Sequence, residues 1–188
     1  MIIIENKRKS LEGIVARYPL AHILDVTSKS NYAQVLSPFY PHYHIPIPFS
    51  PGYYSACVEG IWQGLKVFEG HDIDWGCFSN DTMKNLKRTV RKYGPPKGHR
   101  KGVFGVELMN YLEARQQIYL PSYKWVLDNV PIVHQLVEKI KNEAQKSDIV
   151  FLDYNTNTDV YNVSTPLSHA GLIKSYIEDS YPQLVESI

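Results

Sequence analysis

Glu59, Gln63 and Lys66 are the residues of this sequence best suited to chemistry. Glu59 and Lys66 lie seven positions apart, which is two turns of a helix, so a helix would place both on one face with Gln63 between them. The positions around them are apolar, which predicts that the other helix faces are buried. The polar row is therefore either a solvated helix edge or a charged row that faces a cavity.

Asp159 is a second candidate carboxylate, in a polar segment that follows a predicted buried strand at residues 149–154. Asp153, Asn155 and Asn157 precede it, and ligands often bind beyond the carboxyl ends of such strands. The same residue types also form turns through their own backbone, so a turn is the alternative interpretation. The segment lacks the glycine and the distal glutamate of a calcium loop.

A run of cations separates Asp81 from Glu107 with no acidic residue between them. Its members are Lys84, Lys87, Arg88, Arg91, Lys92, Lys97, Arg100 and Lys101. Such an asymmetry predicts a phosphate-bearing ligand. The 98–102 segment, in which Gly98 and Gly102 flank His99, Arg100 and Lys101, is predicted to be a loop that contacts the phosphate. It does not match a Walker loop, and nucleic acid stays open as a partner.

Composition narrows the class of protein. The chain has 188 residues, 44% of them hydrophobic, and a net charge of +1, so we expect one domain with its own core and no strong overall attraction to nucleic acid. The apolar start is too short for a signal peptide, and no segment could span a membrane. We expect a cytoplasmic protein without disulfides, because Cys57 and Cys77 suggest no disulfide framework. We expect no metal and no cofactor, and His42 and His44 have no cysteine or acidic residue nearby that could complete a metal site.

The elements that position these residues are predicted from periodicity, caps and breakers. Strands are predicted at 2–4, 22–26 and 149–154, and helices at 10–17, 54–68, 80–93, 106–117, 122–129, 131–146 and 167–176. Residues 36–52 contain five prolines among aromatic residues, which predicts an ordered, extended loop that forms a pocket wall. A serine nucleophile at Ser168-His169 has little support, since no Gly-x-Ser-x-Gly elbow is present.

The segment from Ser55 to Lys66 resembles the signature helix of the NADAR (YbiA-like) superfamily. It reads Ser55-Ala56-Cys57-Val58-Glu59-Gly60-Ile61-Trp62-Gln63-Gly64-Leu65-Lys66 and follows an aromatic loop, Phe49-Ser50-Pro51. It departs from the family pattern because Gln63 lies four residues after Glu59 and Ser55 four before it rather than two.

Two later segments carry the rest of the resemblance. Asn157-Thr158-Asp159-Val160-Tyr161 resembles the family's Asn-Asp-x-x-Trp-Gly element, with Tyr161-Asn162 in place of Trp-Gly. Pro166-Leu167-Ser168-His169-Ala170-Gly171-Leu172 takes the place of the family's Asn-x-Leu-Gly-x-x-Leu helix. The order of elements agrees over residues 36–177, which suggests a divergent branch of unknown function with residues 1–35 as an N-terminal extension of one domain.

The resemblance implies an α+β, mainly helical fold with a few short strands, and N-glycosidase activity on a ribosyl bond of a phosphorylated nucleotide or an ADP-ribosylated guanine-type substrate. Glu59, Lys66 and Asp159 would be catalytic. The expected substrate-binding residues are Phe49, Ser50, Tyr54, Trp62, Gln63, His99, Arg100, Lys101, Ser168 and His169.

Two competing functions stay open at this point. One is a non-catalytic module that binds a nucleotide or ADP-ribose, and the other is a glycosylase that acts on nucleic acid. The role of Lys66, as a proton donor to the leaving base or as an amine that forms a Schiff base, also stays open. No membrane partner is expected, and the sequence does not indicate the oligomeric state.

Overall fold

Short strands and short helices alternate along the chain, and a computed structural model describes residues 1–184. The strands, numbered in chain order, are β1 Ile2–Asn6, β2 His22–Asp25, β3 Ile45–Pro46, β4 Tyr54–Ser55, β5 Lys66–Phe68, β6 Pro96–Arg100, β7 Leu108–Met109 and β8 Ile149–Asp153. The helices are α1 Leu11–Arg17, α2 Val58–Gly64, α3 Trp75–Ser79, α4 Val90–Tyr93, α5 Tyr111–Ala114, α6 Leu120–Asn129, α7 Pro131–Ala144 and α8 His169–Ile177. The expected α+β class is confirmed.

A three-stranded parallel sheet is the centre of the first of two compact units, which consists of residues 1–37 and 129–183 (unit 1). Its strand order is β1-β8-β2, so β8 has a neighbour on both sides. Val150 and Phe151 of β8 are completely buried, as expected for a strand that is covered on both faces. Helices α1, α7 and α8 belong to this unit, and the side chain of Ser10 caps α1 by accepting from Gly13 N at 3.2 Å.

Unit 2, residues 38–128 with Leu184, contains the antiparallel strands. Strands β3 and β4 form a small pair, and β5, β6 and β7 form a sheet in that order. In this sheet Lys66 lies opposite His99, and His99 lies opposite Met109, so their side chains share one face. Helix α2 packs against α3 at Gly64, where a Cβ would come within 2.3 Å of the Phe78 ring.

Several predicted elements are confirmed with small shifts at their ends. The strands predicted at 2–4, 22–26 and 149–154 are found as β1, β2 and β8. The helices predicted at 10–17, 131–146 and 167–176 are found as α1, α7 and α8. The proline-rich segment contains no α-helix and only the two-residue strand β3. No helix within residues 1–184 is long and apolar enough to cross a membrane.

The prediction of one helix over residues 54–68 is wrong at both ends. The helix is only Val58–Gly64, and strands β4 and β5 flank it. Residues 66–68 leave the helix because they pair with β6, and this tertiary pairing outweighs the helical pattern of the sequence. Lys66 is therefore on a strand, and its nearness to Glu59 does not come from helical periodicity.

The predicted helix over residues 80–93 is also wrong, since only Val90–Tyr93 is helical. The Asn80 side chain accepts from Thr82 N at 3.0 Å and donates to Lys84 O at 3.0 Å, a local arrangement that competes with a helix. Met83 and Asn85 also adopt positive φ angles of 58° and 57°. The predicted loop at 98–102 belongs largely to strand β6.

The helices predicted at 106–117 and 122–129 begin elsewhere. Strand β7 occupies part of the first range, and α5 starts only at Tyr111. Asn110 and Glu113 form a capping box that fixes this start. A π-helical turn, Arg115–Tyr119, joins α5 to α6 without a break, so the two predicted helices are one continuous segment.

Candidate active site

Helix α2 buries the side chain of Glu59 in its first turn. The sulfur of Cys57 caps the helix by accepting from Gly60 N at 3.2 Å. The amide of Glu59 donates to Pro38 O at 2.8 Å, so the proline-rich segment holds the start of the helix. Glu59 is 7% exposed, which means that its carboxylate lies largely outside bulk water.

Gln63 connects Glu59 to Lys66. Its Nε2 donates to Glu59 Oε1 at 2.8 Å, and its Oε1 accepts from Lys66 Nζ at 3.1 Å and from Arg88 N at 3.0 Å. Because the amide oxygen faces two donors, the amide nitrogen must face the carboxylate. Lys66 makes no ion pair with a carboxylate within residues 1–184, so a neutral amide joins the two charged groups.

Lys66 is half-buried at the start of β5. Burial lowers the pKa of Lys66; the negative charge of Glu59 opposes this shift, and the positive charge of Arg88 adds to it. Removal of an ammonium from water favours the uncharged amine. The residue is therefore easier to deprotonate than an ordinary surface lysine.

His99 lies beside Lys66 in the sheet and is 1% exposed. Its ring centroid is 4.0 Å from that of Trp62, and neither ring nitrogen has a hydrogen-bond partner within the described chain. Burial, followed by the charge of Lys66, lowers the pKa of His99 to about 3. The Trp62 backbone opposes the shift, although no hydrogen bond of ordinary geometry joins it to the ring. His99 is therefore a neutral imidazole at neutral pH.

Two tyrosines that sequence reasoning missed surround the indole of Trp62. The ring centroids of Tyr111 and Tyr119 lie 5.5 Å and 5.7 Å from it, both edge-on, and Lys66 Nζ lies 5.8 Å from its centre. Tyr111 is 37% exposed. The spacing of four residues from Tyr111 to Arg115 and again to Tyr119 was the available signal, since it places all three on one helix face.

Ser50 and Phe49, both expected to bind substrate, hold the turns of unit 2 together. Ser50 is buried, and its Oγ donates to Pro48 O at 3.0 Å and accepts from Val103 N at 3.0 Å. Gly102 approaches so closely that a Cβ there would lie 2.3 Å from Phe49 O. Tyr54 is 55% exposed. Substrate contacts of these residues stay predictions.

The cationic run is less uniform in the structure than in the sequence. Arg100 donates to both carboxylate oxygens of Asp72, at 2.9 Å and 2.7 Å, and Lys101 lies 3.4 Å from Glu107. Lys97 pairs with Glu69. Within this run, four exposed cations have no carboxylate partner in residues 1–184: Lys84, Lys87, Arg91 and Lys92. These four cations are therefore less neutralised by acidic side chains than the 98–102 segment, and a phosphate ligand for the run stays a prediction.

Asp159 belongs to unit 1, where it lies in a turn. Its amide donates to Asn157 Oδ1 at 3.0 Å, and its Oδ1 accepts from Tyr161 N at 2.9 Å. This is the turn-forming arrangement that the sequence left as the alternative. The carboxylate is exposed, and a catalytic role for it stays a prediction.

Ser168 and His169, also in unit 1, meet at the buried carboxylate of Asp153. Ser168 Oγ donates to Asp153 Oδ2 at 2.7 Å, and His169 Nδ1 lies 3.0 Å from the same oxygen. His169 Nε2 lies 2.8 Å from Val26 O. Both ring nitrogens face acceptors, so His169 is held as an imidazolium and does not activate Ser168 as a nucleophile.

The structure thus brings together part of the predicted set. Glu59, Trp62, Gln63, Lys66 and His99 form one cluster in unit 2, whereas Asp159, Ser168 and His169 belong to unit 1. In residues 1–184 no group of three or more His, Cys, Asp or Glu side chains is arranged to hold a metal ion. The unit 2 cluster offers a carboxylate, an amine of lowered pKa and an aromatic surface.

Comparison with known proteins assigns the chain to a family but not to an activity. Residues 6–173 match a family model described as a family of unknown function (DUF6939), and the chain belongs to this family. No curated protein and no solved structure matches it significantly. The likeness to the NADAR superfamily therefore stays a prediction.

Proposed function

We propose that this member of the DUF6939 family is an N-glycosidase, which hydrolyses a ribosyl N-glycosidic bond at the cluster of Glu59, Gln63 and Lys66. The proposed substrate is a phosphorylated nucleotide or an ADP-ribosylated guanine-type compound. The observation that carries the proposal is the chain of hydrogen bonds from Glu59 through Gln63 to Lys66. It combines a buried carboxylate with a half-buried amine beside the Trp62 ring.

Glu59 supplies the charge that the reaction requires. Departure of the base develops positive charge on the sugar, and a nearby carboxylate stabilises this oxocarbenium-like state or activates a water molecule. Electrostatic stabilisation is stronger where bulk water is largely excluded, as it is around Glu59. The bond from Gln63 keeps the carboxylate in one orientation.

Lys66 acts on the leaving group or on the sugar. As an ammonium it donates a proton to the departing base; as an amine it attacks the anomeric carbon. In the second route the new C–N bond to the anomeric carbon replaces the glycosidic bond, whose electron pair leaves with the base, and the base takes up the proton that the amine loses. The bond from the anomeric carbon to the ring oxygen then breaks, which converts the glycosylamine into an imine, and water hydrolyses this imine to release the sugar and restore the amine. The lowered pKa of Lys66 is compatible with both routes.

Aromatic and cationic groups of unit 2 are suited to the two ends of such a substrate. Trp62 and the partly exposed Tyr111 are aromatic side chains of the kind on which a planar base stacks, and they lie next to each other beside Lys66. The exposed cations at 84–92 without carboxylate partners suit phosphate groups. His99 is neutral, so it contributes to the environment of Lys66 rather than to phosphate binding.

The test is release of free base from NAD-derived ribosides and from ADP-ribosylated guanosine, followed by mass spectrometry. Glu59→Gln and Lys66→Ala should each lower kcat by roughly 10²–10⁴-fold, as expected for loss of an acid–base group. Lys124→Ala is the matched control. Lys124 is also a partly exposed lysine of unit 2, but its ion-pair partner, Asp128, is outside the proposed site.

Circular dichroism must show that each variant is folded. Full activity of both Glu59→Gln and Lys66→Ala would refute the site. Tight binding of ADP-ribose by the wild-type protein, with no base released from any substrate, would instead identify a non-catalytic binding module.

A further inference from the structure

Arg88 is a buried cation without a carboxylate partner in the described chain. It is 6% exposed, and none of the ion pairs within residues 1–184 includes it. A buried charge without an opposite charge costs several kcal/mol in general. A cation buried at such a cost requires an explanation, and its contacts supply one.

The guanidinium of Arg88 donates to backbone carbonyls at both ends of the connection from α2 to β5. Its NH1 donates to Gln63 O at 3.3 Å and to Lys66 O, and its NH2 donates to Asp72 O at 2.8 Å. Gln63 is next to last in helix α2, and Lys66 is the first residue of β5. Arg88 therefore fixes the short connection between the helix and the strand.

The backbone of Arg88 fixes the side chain that links the two reactive groups. Its N–H donates to Gln63 Oε1 at 3.0 Å, the same oxygen that accepts from Lys66 Nζ. With the amide oxygen occupied by these donors, the amide nitrogen stays directed at Glu59. The backbone amide of Arg88, together with Lys66 Nζ, thus determines which end of Gln63 meets the carboxylate.

The charge of Arg88 acts on Lys66 as well. After burial, the largest influences on the pKa of Lys66 are Glu59, which raises it, and Arg88, which lowers it. Cys77 and Lys87 contribute less, in opposite directions. His99, the cross-strand neighbour, is neutral, so Arg88 is the strongest cationic influence on the amine.

We propose that Arg88 is a positioning residue for this site: its guanidinium and its backbone N–H hold Gln63 and Lys66 in place through hydrogen bonds. The inference rests on the proposed function in one respect: it takes Lys66 to be a reactive group. It assigns Arg88 no contact with substrate.

The experiment measures the reactivity of Lys66 without any substrate. Wild-type protein and variants are labelled with a trace of acetic anhydride from pH 7 to pH 11, and acetylation at Lys66 is quantified by mass spectrometry, with Lys124 as the internal reference. Arg88→Gln removes the charge, and Arg91→Gln is the control that removes an exposed charge from the same segment. Arg88→Lys keeps the charge but loses the planar group that reaches three carbonyls.

In Arg88→Gln, labelling of Lys66 at pH 8 should fall by roughly severalfold, because loss of the Arg88 charge raises the pKa of Lys66 and leaves a smaller fraction of uncharged amine. In Arg91→Gln the labelling of Lys66 should match that of the wild type, because this measurement contains no phosphate ligand. Arg88→Lys should keep the labelling profile of Lys66 but lower kcat, since the charge remains while the geometry does not.

Unchanged labelling in a folded Arg88→Gln protein would overturn the inference. If Arg88→Gln does not fold, Arg88→Lys decides: wild-type kcat together with wild-type labelling would overturn the positioning role. Absence of turnover with every substrate, together with the expected labelling changes, would refute the N-glycosidase proposal and leave the role of Arg88 intact.

Discussion

Asp153 and His169 form a buried pair in which Nδ1 of the imidazole lies 3.0 Å from Oδ2 of the carboxylate. The other ring nitrogen lies 2.8 Å from Val26 O. Burial alone would raise the pKa of Asp153, but His169 and the hydrogen bond from Ser168 lower it to about 2. Burial alone would lower the pKa of His169, but Asp153 raises it above its ordinary value. The pair joins the ends of β8 and β2 to the start of α8.

Stability should therefore depend on pH with two limits. The contribution of Asp153 is complete above its ordinary pKa of 3.8 and is lost as pH falls toward 2. The contribution of His169 is complete below its ordinary pKa of 6.5 and is lost as pH rises through its higher folded value. The pair stabilises the fold most strongly between these ordinary values.

Urea unfolding of Asp153→Asn and His169→Gln from pH 3 to pH 9 measures this contribution. At pH 5 each variant should lose about 3–5 kcal/mol, the usual cost of removing one partner of a buried pair. The difference between wild type and His169→Gln should shrink on the alkaline side. A difference that stays constant from pH 5 to pH 9 would show that His169 is not held as an imidazolium.

Gly64 permits the close approach of α2 to α3. A Cβ at this position would lie 2.3 Å from Phe78 Cε1, so Gly64→Ala should lower the free energy of unfolding by about 1–3 kcal/mol, despite the better helix propensity of alanine. Thermal unfolding measures the loss. In the double variant Gly64→Ala/Phe78→Leu the smaller side chain should recover part of it. If the double variant recovers no stability, the loss in Gly64→Ala does not come from a clash with Phe78.

Asp159→Asn separates the two interpretations of Asp159. An asparagine oxygen can still accept from Tyr161 N, so the turn and the thermal unfolding midpoint should be preserved. If the carboxylate takes part in the proposed reaction, kcat should fall by roughly 10²-fold or more, since stabilisation of a developing cation needs the negative charge. Wild-type kcat in Asp159→Asn would leave Asp159 with only its turn-forming role.

Local signals in the sequence were sufficient for much of the fold. The cap at Ser10, the apolar run of β8 and the long amphipathic pattern of α7 each determined an element without help from distant residues. Prediction was wrong where pairing between distant segments outweighed local pattern. Residues 66–68 have a helical pattern, but they form a strand because residues 96–100 lie beside them.

The sequence predicted part of the candidate site, but the predicted helix does not explain how its residues come together. Glu59 and Lys66 do approach each other through Gln63, but a helix-to-strand connection places them there, not two turns of one helix. The contribution of Arg88 was not apparent, because a sequence does not show which member of a cationic run is buried. The ion pairs of Arg100 and Lys101 depend on Asp72 and Glu107, and the pairing with Asp72 spans 28 residues.

The strand order β1-β8-β2 also has a consequence for synthesis of the chain. The central strand of unit 1 lies at residues 149–153, whereas both of its neighbours lie within the first 25 residues. On the ribosome, β1 and β2 must therefore wait for most of the polypeptide before they can pair. The strands of unit 2 in the described part of the chain end by residue 109, so they are synthesised well before β8, and unit 2 can begin to fold while unit 1 still lacks its centre.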